Sequence, residues 1–262
     1  MLMDQISRVL RNEEMTAGYR RLVLLAPGIA EQALPGQFVH VQIPGLRDRI
    51  LRRPFSISSA DPAAGTVTVI FKVVGLGTAE LAKAAPGVEF PVLGPLGNGY
   101  RPVPGTNPVL VAGGYGSAST LFLAERSEKP GIVLMGARTE HDLILREEYH
   151  ALGFRLLAAT NDGSFGRKGL VTDLLDEALG SVPAPAVYAC GPRPMLFALG
   201  RLLEGRGIPA QLSLDQHMCC GVGACFACVV KLKDADSPDG FRYSRSCKEG
   251  PVYSAEEVYC RE

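Results

Sequence analysis

Residues 109–119 read VLVAGGYGSAS, an apolar run followed by a glycine-rich turn and the start of a helical pattern. Four apolar residues before the first glycine are typical of a strand buried on both faces, as in a parallel sheet. A strand, a glycine turn and a helix in this order predict one unit of a doubly wound α/β fold. The run Gly113-Gly114-Tyr115-Gly116 is not G-x-G-x-x-G, so it matches the dinucleotide fingerprint imperfectly.

The same alternation of strand and helix extends over residues 107–214, which we expect to form a Rossmann-like parallel sheet domain. Predicted strands cover residues 109–112, 131–135, 154–159, 186–189 and 210–214. Predicted helices cover residues 117–126, 143–152, 170–179 and 194–204.

A second glycine loop follows the fourth predicted strand, at Cys190-Gly191-Pro192, with Pro194 suited to the first turn of a helix. Nucleotides bind at the carboxyl ends of strands in such sheets. Cys190 would therefore lie where a nicotinamide can stack on a flavin, or it is a small buried apolar side chain. Polar residues 160–164 follow another predicted strand. They could contact a ribose or form a turn, and the turn is the favoured interpretation.

The first hundred residues have a different pattern, with short β-rich runs at residues 19–26, 37–43, 55–59 and 66–74, cut by glycine and proline. This spacing predicts an N-terminal antiparallel barrel or sandwich with one helix, at residues 78–85. Residues 102–105 (PVPG) are a plausible linker to the next domain.

Two stretches of this β-domain contain residues suited to binding phosphate. Residues 53–56 read RPFS, where a guanidinium, an aromatic ring and a hydroxyl could meet a flavin nucleotide, or form a surface arginine and a core phenylalanine. Residues 72–78 read KVVGLGT before a helical pattern, which suits an anion site or an ordinary glycine turn with a helix cap.

All seven cysteines lie in the last third of the chain. Four follow the plant-type ferredoxin spacing C-x4-C-x2-C…C of a [2Fe–2S] cluster: Cys220, Cys225, Cys228 and Cys247. Gly221 and Gly223 let the loop fold around a cluster and direct N–H groups at its sulfurs. A structural zinc site with four thiolates is the alternative, although zinc usually takes two short CxxC pairs. Cys219 is expected to be a neighbouring thiol, and Cys190 and Cys260 lack the spacing.

Composition excludes several classes of protein. The 262 residues carry 27 basic and 27 acidic side chains, with no basic stripe for nucleic acid and no long apolar span. The start, MLMDQ, lacks a signal-peptide pattern, so a cytosolic location with reduced thiols is expected. The four histidines share no ligand spacing and are interpreted as structural or surface residues.

The three regions, in this order, resemble the ferredoxin-reductase superfamily and, more closely, electron-transfer subunits of type B dihydroorotate dehydrogenase. The resemblance covers essentially the whole chain. It is carried by residues 53–56 (RPFS), 75–78 (GLGT), 95–99 (PLGNG), 113–116 (GGYG), 161–166 (NDGSFG), 190–192 (CGP), 220–228 and 247–252 (CKEGPV).

The resemblance implies an FAD-binding β-barrel at residues 1–101, an NAD-binding domain at 107–214 and a [2Fe–2S] domain at 215–262. It implies that Arg53 contacts the flavin phosphate and that Ser56 lies near flavin N5, with Ser56 and Cys190 as the catalytic residues. The other residues expected to contact FAD or the nicotinamide nucleotide are Pro54, Phe55, Lys72, Gly75, Gly77, Thr78, Gly113, Gly114, Gly116 and Gly191.

The resemblance also implies a partner, a separate FMN-containing catalytic subunit that oxidises dihydroorotate in pyrimidine biosynthesis, in a heterotetramer of two plus two. Electrons would pass from FMN through the cluster to FAD and on to NAD. Two alternatives stay open: an NAD(P)H-acceptor reductase, alone or with another partner, and a zinc-stapled binding module without activity. Arg138 suits the 2′-phosphate of NADPH or is a surface charge, so the choice of nucleotide is open.

Overall fold

The N-terminal region is a closed antiparallel barrel in a computed structural model, which describes residues 3–46 and 51–260. The barrel order is β1-β2-β5-β4-β3-β6. Its strands are β1 (Met3–Glu14), β2 (Tyr19–Leu25), β3 (Phe38–Val41), β4 (Arg53–Asp61), β5 (Thr66–Lys72) and β6 (Glu89–Leu96). The first residues were expected to lack a signal-peptide pattern, and two of them, Met1 and Leu2, lie outside the described residues.

The described residues of the barrel region include two helices, α1 (Pro27–Gln32) and α2 (Leu76–Ala82), so the prediction of a single helix at residues 78–85 was wrong. Helix α1 has six residues, too few for a periodic apolar pattern. Helix α2 begins two residues early because the Thr78 hydroxyl accepts hydrogen bonds from the N–H groups of Val74 (2.9 Å) and Gly75 (3.1 Å). Thr78 thus caps the helix from inside its first turn.

The middle of the chain forms a seven-stranded sheet in the order β10-β9-β8-β7-β11-β12-β15. The first six of these strands pair in parallel, and the last pairs antiparallel. The strands after the barrel are β7 (Asn107–Gly113), β8 (Ile132–Ala137), β9 (Arg155–Thr160), β10 (Arg167–Lys168), β11 (Pro185–Cys190), β12 (Ala210–Ser213), β13 (Val229–Lys233), β14 (Phe241–Arg245) and β15 (Val252–Ser254).

The helices of this region are α3 (Gly116–Glu125), α4 (Arg146–Ala151), α5 (Leu175–Ser181) and α6 (Arg193–Leu203). They cover both faces of the sheet, and β7 shows why its sequence is continuously apolar. Val109 and Val111 belong to the core on one face, and Leu110 belongs to the core on the other. All five predicted strands are present. The predicted helix at residues 170–179 is a 3-10 turn, Val171–Leu174, that runs into α5.

The cysteine-containing end of the chain is built into the rest of the fold. Strands β13 and β14 form a hairpin, and β15 returns to pair with β12, with Tyr253 opposite Leu212. The barrel is tied to the same segment through Asn98, whose backbone N–H donates to the Gly250 carbonyl (2.6 Å). No helix in the described part of the chain is long and apolar enough to cross a membrane.

Candidate functional site

The four cysteines with ferredoxin spacing lie together as two contacting pairs. Cys220 and Cys225 lie close together, and the backbone N–H of Cys247 donates to Cys228 Sγ (3.4 Å). The Cys228 and Cys247 thiols also contact each other. In the described parts of the chain, no three His, Cys, Asp or Glu side chains converge as ligands of one metal ion. Two pairs of thiols, one pair for each iron, suit a [2Fe–2S] cluster.

The loop of residues 219–228, here called the cysteine loop, directs backbone N–H groups at sulfur. Burial opposes ionisation of Cys220, but N–H groups of Val222, Cys225 and Ala224 outweigh it and lower the pKa of this thiol to about 6. The Gly223 N–H points at Cys247, whose pKa is raised to about 12 by burial and by Cys228. Hydrogen bonds to sulfur are typical of iron–sulfur sites, so these residues fit the cluster.

Arg245 fixes the cysteine loop from outside. Its guanidinium donates to the Gly223 carbonyl (2.9 Å) and pairs with Glu249, whose pKa is lowered by this contact. The same guanidinium lies 4.9 Å from the centroid of the Phe226 ring, which is 60% exposed. Beside it, Cys225 is also exposed. The outer side of the loop is therefore an accessible, partly apolar surface.

The inner side of the cysteine loop packs on strand β3. Strand alternation sends Val39 and Val41 into the barrel core, whereas Phe38 and His40 face outward. Phe38 packs with Cys228 in a small buried cluster that also contains Cys247 and Leu96. We call the outward side of β3 and β4, which carries Phe38, His40, Pro54 and Ser56, the outer barrel face.

His40 is in van der Waals contact with the cysteine loop. A Cβ atom on Gly221 would lie 2.7 Å from both Cε1 and Nδ1 of the imidazole, and Gly221 has a φ of +70°. The ring is 1% exposed, and neither ring nitrogen has a hydrogen-bond partner among the described residues. Burial, then the charges of Arg52 and Arg53, lower the pKa of His40 to about 4. The imidazole is therefore neutral at physiological pH.

Strand β4 brings the predicted flavin residues next to this contact. Pro54 is opposite His40, and Ser56 is opposite Phe38 in the β3–β4 register. Paired residues of an antiparallel ladder lie on the same side of the sheet, so all four side chains share the outer barrel face. Phe55 points the other way, and its ring centroid lies 5.6 Å from that of Phe71 at the barrel core.

Arg53, the first residue of β4, and Arg52, just before it, have different surroundings. Arg52 forms two hydrogen bonds of 2.8 Å with the carboxylate of Asp4. Arg53 donates to the Leu51 carbonyl (2.7 Å), and its Nε lies 3.2 Å from where a Cβ on Gly77 would be. Glycine at 77 therefore lets the guanidinium approach α2. The two segments that this cation contacts carry exposed apolar side chains: Leu51, Val74 and Leu76. A cation with apolar neighbours fits a flavin nucleotide.

A cavity of about 540 Å³ lies where the barrel meets the carboxyl ends of the parallel strands. Lys72 links its two sides, because its Nζ lies 2.6 Å from the Asp142 carboxylate and 4.7 Å from the centroid of the Tyr19 ring. The hydrogen bond to Asp142 raises the pKa of Lys72. Other lining residues include Val74, Gly113, Gly114, Tyr115, Arg138, Asn161 and Pro192.

The predicted nucleotide glycines have two kinds of environment. A Cβ on Gly116 would lie 2.1 Å from the Cys190 carbonyl oxygen, and one on Gly191 would lie 2.9 Å from the Cα of Gly113. These three glycines allow the two glycine loops to pack against each other. Gly114 has a φ of +54° and only the Tyr19 hydroxyl within 4 Å, at 3.8 Å. Of the four predicted glycines in the sheet domain, Gly114 is thus the one whose Cα faces open space.

Cys190 ends β11 and is buried, at 3% exposed. Burial, followed by the charge of Asp215, raises the pKa of this thiol to about 12, and the nearby hydroxyls of Ser213 and Ser119 oppose the shift. Cys190 lies beside the cavity but is not among its lining residues. Cys260 is a core thiol packed on α6 next to Gly200, away from the four paired cysteines.

The sequence did not indicate His40, Phe38 or Arg245 as residues of this site. A single histidine without ligand spacing carries no signal, and the contact with Gly221 joins strands and loops about 180 positions apart. Arg245 had one usable signal, since it lies two residues before a predicted ligand.

Comparison with protein families gives two matches that cover different parts of the site. Residues 215–259 match the iron-sulfur cluster binding domain of dihydroorotate dehydrogenase B. Residues 110–199 match the oxidoreductase NAD-binding domain.

The chain is similar over its length to curated proteins named dihydroorotate dehydrogenase B (NAD(+)), electron transfer subunit. It is 40% identical over 260 residues to that of Bacillus caldolyticus, covering 94% of this chain and 98% of the relative. It is 36% identical over 264 residues to that of Geobacillus sp. (strain WCH70), covering 98% and 99%.

Solved structures share the architecture. The structure of an NADH-dependent reduced ferredoxin-NADP oxidoreductase has a TM-score of 0.83 and 28% identity, covering 96% of this chain and 89% of that one. A ferredoxin reductase of carbazole 1,9a-dioxygenase, with a TM-score of 0.67 and 23% identity, covers 79% and 67% and shows the fold alone. These comparisons confirm the predicted fold class and the predicted resemblance. The chain belongs to the family of dihydroorotate dehydrogenase B (NAD+) electron transfer subunits.

Proposed function

We propose that this chain carries electrons between NAD(H) and an FMN-containing catalytic subunit that oxidises dihydroorotate, in a heterotetramer of two plus two. The chain is an NAD-linked oxidoreductase subunit for electron transfer with a catalytic partner, and its cofactors are FAD, a [2Fe–2S] cluster and NAD(H). FAD, when bound, exchanges electron pairs with NAD(H) and single electrons with the cluster.

The observation that carries the proposal is the position of Phe38 on the outer barrel face. Phe38 lies opposite Ser56 in the β3–β4 ladder and packs against Cys228 and Cys247. A flavin held at Ser56 is therefore one side chain away from a cluster held by those thiols. The same barrel lines the nucleotide cavity through Tyr19 and Lys72. The three binding regions adjoin in the order that electron transfer requires.

We assign the cluster to the thiolates of Cys220, Cys225, Cys228 and Cys247. The N–H groups of the cysteine loop stabilise negative charge on these sulfurs, and burial of Cys228 and Cys247 keeps water from the inner pair. Cys219 forms neither of the two thiol pairs. The zinc alternative needs four thiols around one ion, and the paired arrangement favours the cluster.

We assign the flavin nucleotide to the outer barrel face. Arg53 would bind its phosphate, because Arg52 is already paired with Asp4. Gly75, Gly77 and Thr78 would shape the pyrophosphate loop, with the Thr78 hydroxyl fixing the backbone at Gly75. Pro54 and Ser56 would orient the isoalloxazine, with the Ser56 hydroxyl available to hold a proton at N5.

We assign the nicotinamide nucleotide to the cavity of about 540 Å³ at the sheet edge. Gly114 leaves room for a phosphate, and packing of Gly113, Gly116 and Gly191 holds the two loops at a fixed separation. Cys190 would act from beneath the nicotinamide as a neutral, polarisable side chain and not as a nucleophile, because its pKa is about 12.

The partner would dock on the exposed side of the cysteine loop. Phe226 is 60% exposed and Val222 is 39% exposed, beside the exposed Cys225. Exposed apolar side chains next to a redox centre are suited to an interface. We also propose that the chain divides into domains at residues 1–101, 107–214 and 215–262. We propose a cytosolic location as well.

The test is co-expression with an FMN-containing dihydroorotate dehydrogenase subunit, anaerobic purification and stopped-flow mixing with dihydroorotate. We expect a complex of two plus two, in which dihydroorotate reduces both FAD and the cluster. In Cys225→Ser, NADH should still reduce FAD, whereas dihydroorotate should no longer do so.

A second candidate is supported by the likeness to the ferredoxin-NADP oxidoreductase structure. If NADH reduces FAD and the cluster but no complex forms and dihydroorotate reduces neither, the chain serves another acceptor. A ferredoxin would then be the first acceptor to assay.

A further inference from the structure

His40 is a buried polar side chain for which the described part of the chain supplies no hydrogen bond. Both ring nitrogens lack a partner among the described residues, and the ring is 1% exposed. A buried imidazole without any partner is destabilising by the desolvation of its polar atoms. A native protein retains such a group where a water, an ion or another bound group completes its hydrogen bonding, or where the group has a redox or catalytic role.

The neighbours of the ring show which bound group is in reach. The edge formed by Nδ1 and Cε1 faces Gly221, which follows Cys220 directly. At Gly221 the backbone comes so close that any side chain would overlap the ring. The adjacent outward side chain on β3, Phe38, packs with Cys228 and Cys247. His40 and Phe38 together thus cover the inner side of the cluster site.

We propose that His40 donates a hydrogen bond from one ring N–H to the sulfur of the iron–sulfur cluster or its ligands, and so raises the reduction potential of the cluster. The inference rests on the proposed function, because it needs a cluster on the four thiolates. Reduction adds one electron, and with it one negative charge, to the cluster. A donor aimed at sulfur stabilises the reduced form, and the cluster thereby becomes the better electron acceptor.

The charges near His40 are consistent with a neutral donor in this position. Arg52 and Arg53 lie on the barrel side, and both disfavour a second proton on the ring. A neutral imidazole offers one N–H donor and one acceptor nitrogen. It can therefore donate to sulfur without adding a full positive charge beside Arg53.

The direct test is pulsed EPR on the holoprotein labelled with 15N-histidine and reduced with dithionite. We expect hyperfine coupling of the reduced cluster to one histidine nitrogen in the unchanged protein and in His150→Gln. The coupling should be absent in His40→Phe, which keeps an aromatic ring without a donor. A normal reduced-cluster signal without any 15N-histidine coupling would overturn the assignment.

A redox titration followed by EPR gives an independent readout. In His40→Phe we expect the equilibrium constant for one-electron reduction of the cluster to fall about tenfold, which is a potential lower by about 59 mV. His40→Asn, with an amide N–H near the position of Nδ1, should recover part of this loss. An unchanged potential in His40→Phe would refute the role of His40 and leave the proposed function intact. The lack of any cluster signal in the unchanged protein would refute both.

Discussion

Replacement of Gly221 by alanine should weaken the cysteine loop by two separable effects. A residue other than glycine at a φ of +70° adds about 1–2 kcal/mol of backbone strain. The new methyl group would also lie 2.7 Å from the buried His40 ring, and overpacking of this kind destabilises by about 1–3 kcal/mol. Gly221→Ala should therefore destabilise the loop by about 2–5 kcal/mol in total.

The matched control is Gly240→Ala in the turn between β13 and β14. Gly240 has a φ of +72° and no atom within 4 Å of the added methyl group, so it shows the backbone strain alone. The assay is the urea midpoint at which the holoprotein loses the visible circular dichroism of its cluster. With a slope of about 2 kcal/mol/M, the extra 1–3 kcal/mol in Gly221→Ala should lower the midpoint by about 0.5–1.5 M relative to Gly240→Ala.

The contact with His40 can be isolated in a double-variant cycle. In a His40→Ala background, Gly221→Ala should lower the midpoint only about as much as Gly240→Ala does, because the overlapping ring is gone. Equal midpoints for the two single glycine variants, or the same effect of Gly221→Ala with and without His40, would refute the reasoning.

Three further outcomes are expected. Cys225→Ser and Cys220→Ser should each lose iron and sulfide but retain FAD, whereas Cys219→Ser should keep its cluster. Metal analysis decides, and if Cys220→Ser keeps the cluster while Cys219→Ser loses it, the first ligand is Cys219 and not Cys220. Arg53→Ala should weaken FAD binding about tenfold to hundredfold, the equivalent of one hydrogen bond to a charged group. Arg52→Ala should not weaken it, because the Arg52 guanidinium is already paired with Asp4. Equal losses of FAD affinity in a fluorescence titration would argue against the role of Arg53. Because burial raises the pKa of Cys190 to about 12, its thiol stays protonated as pH rises from about 6 to about 9. Iodoacetamide should therefore not label Cys190 in the native protein at either pH. Labelling of Cys190 detected by mass spectrometry would contradict this expectation.

The sheet was predictable because its signals are local. The apolar run before Gly113 and the run before Gly191 each lie within one strand, and both strands have the predicted place and direction. By contrast, β1 (Met3–Glu14) was missed. Its burial alternates from Met3 to Leu10, but its apolar residues do not follow that alternation, because Ser7 is buried and Ile6 is 62% exposed. The sequence therefore lacks the apolar–polar alternation that identifies a strand.

The candidate site was predictable where spacing along the chain decides it. Three ligands within nine residues identify a cysteine loop, and the pairing of Cys228 with distant Cys247 agrees with the predicted set. The position of His40 depends instead on the register of β3 against β4 and on a loop from the other end of the chain. No sequence window contains that information. The burial of Cys190 could not be predicted from one sequence window either, because residues of two other elements, β12 and α3, lie against it.

Strand β15 has a consequence for engineering the protein. It lies beyond the four thiolates in the chain, yet it is the edge strand of the central sheet, through its ladder with β12. Removal of everything after residue 214 would expose the N–H and C=O groups of β12, and an open edge of this kind favours intermolecular association. A chimera that exchanges the metal-binding segment with a homologue should therefore transplant β12 and β15 together.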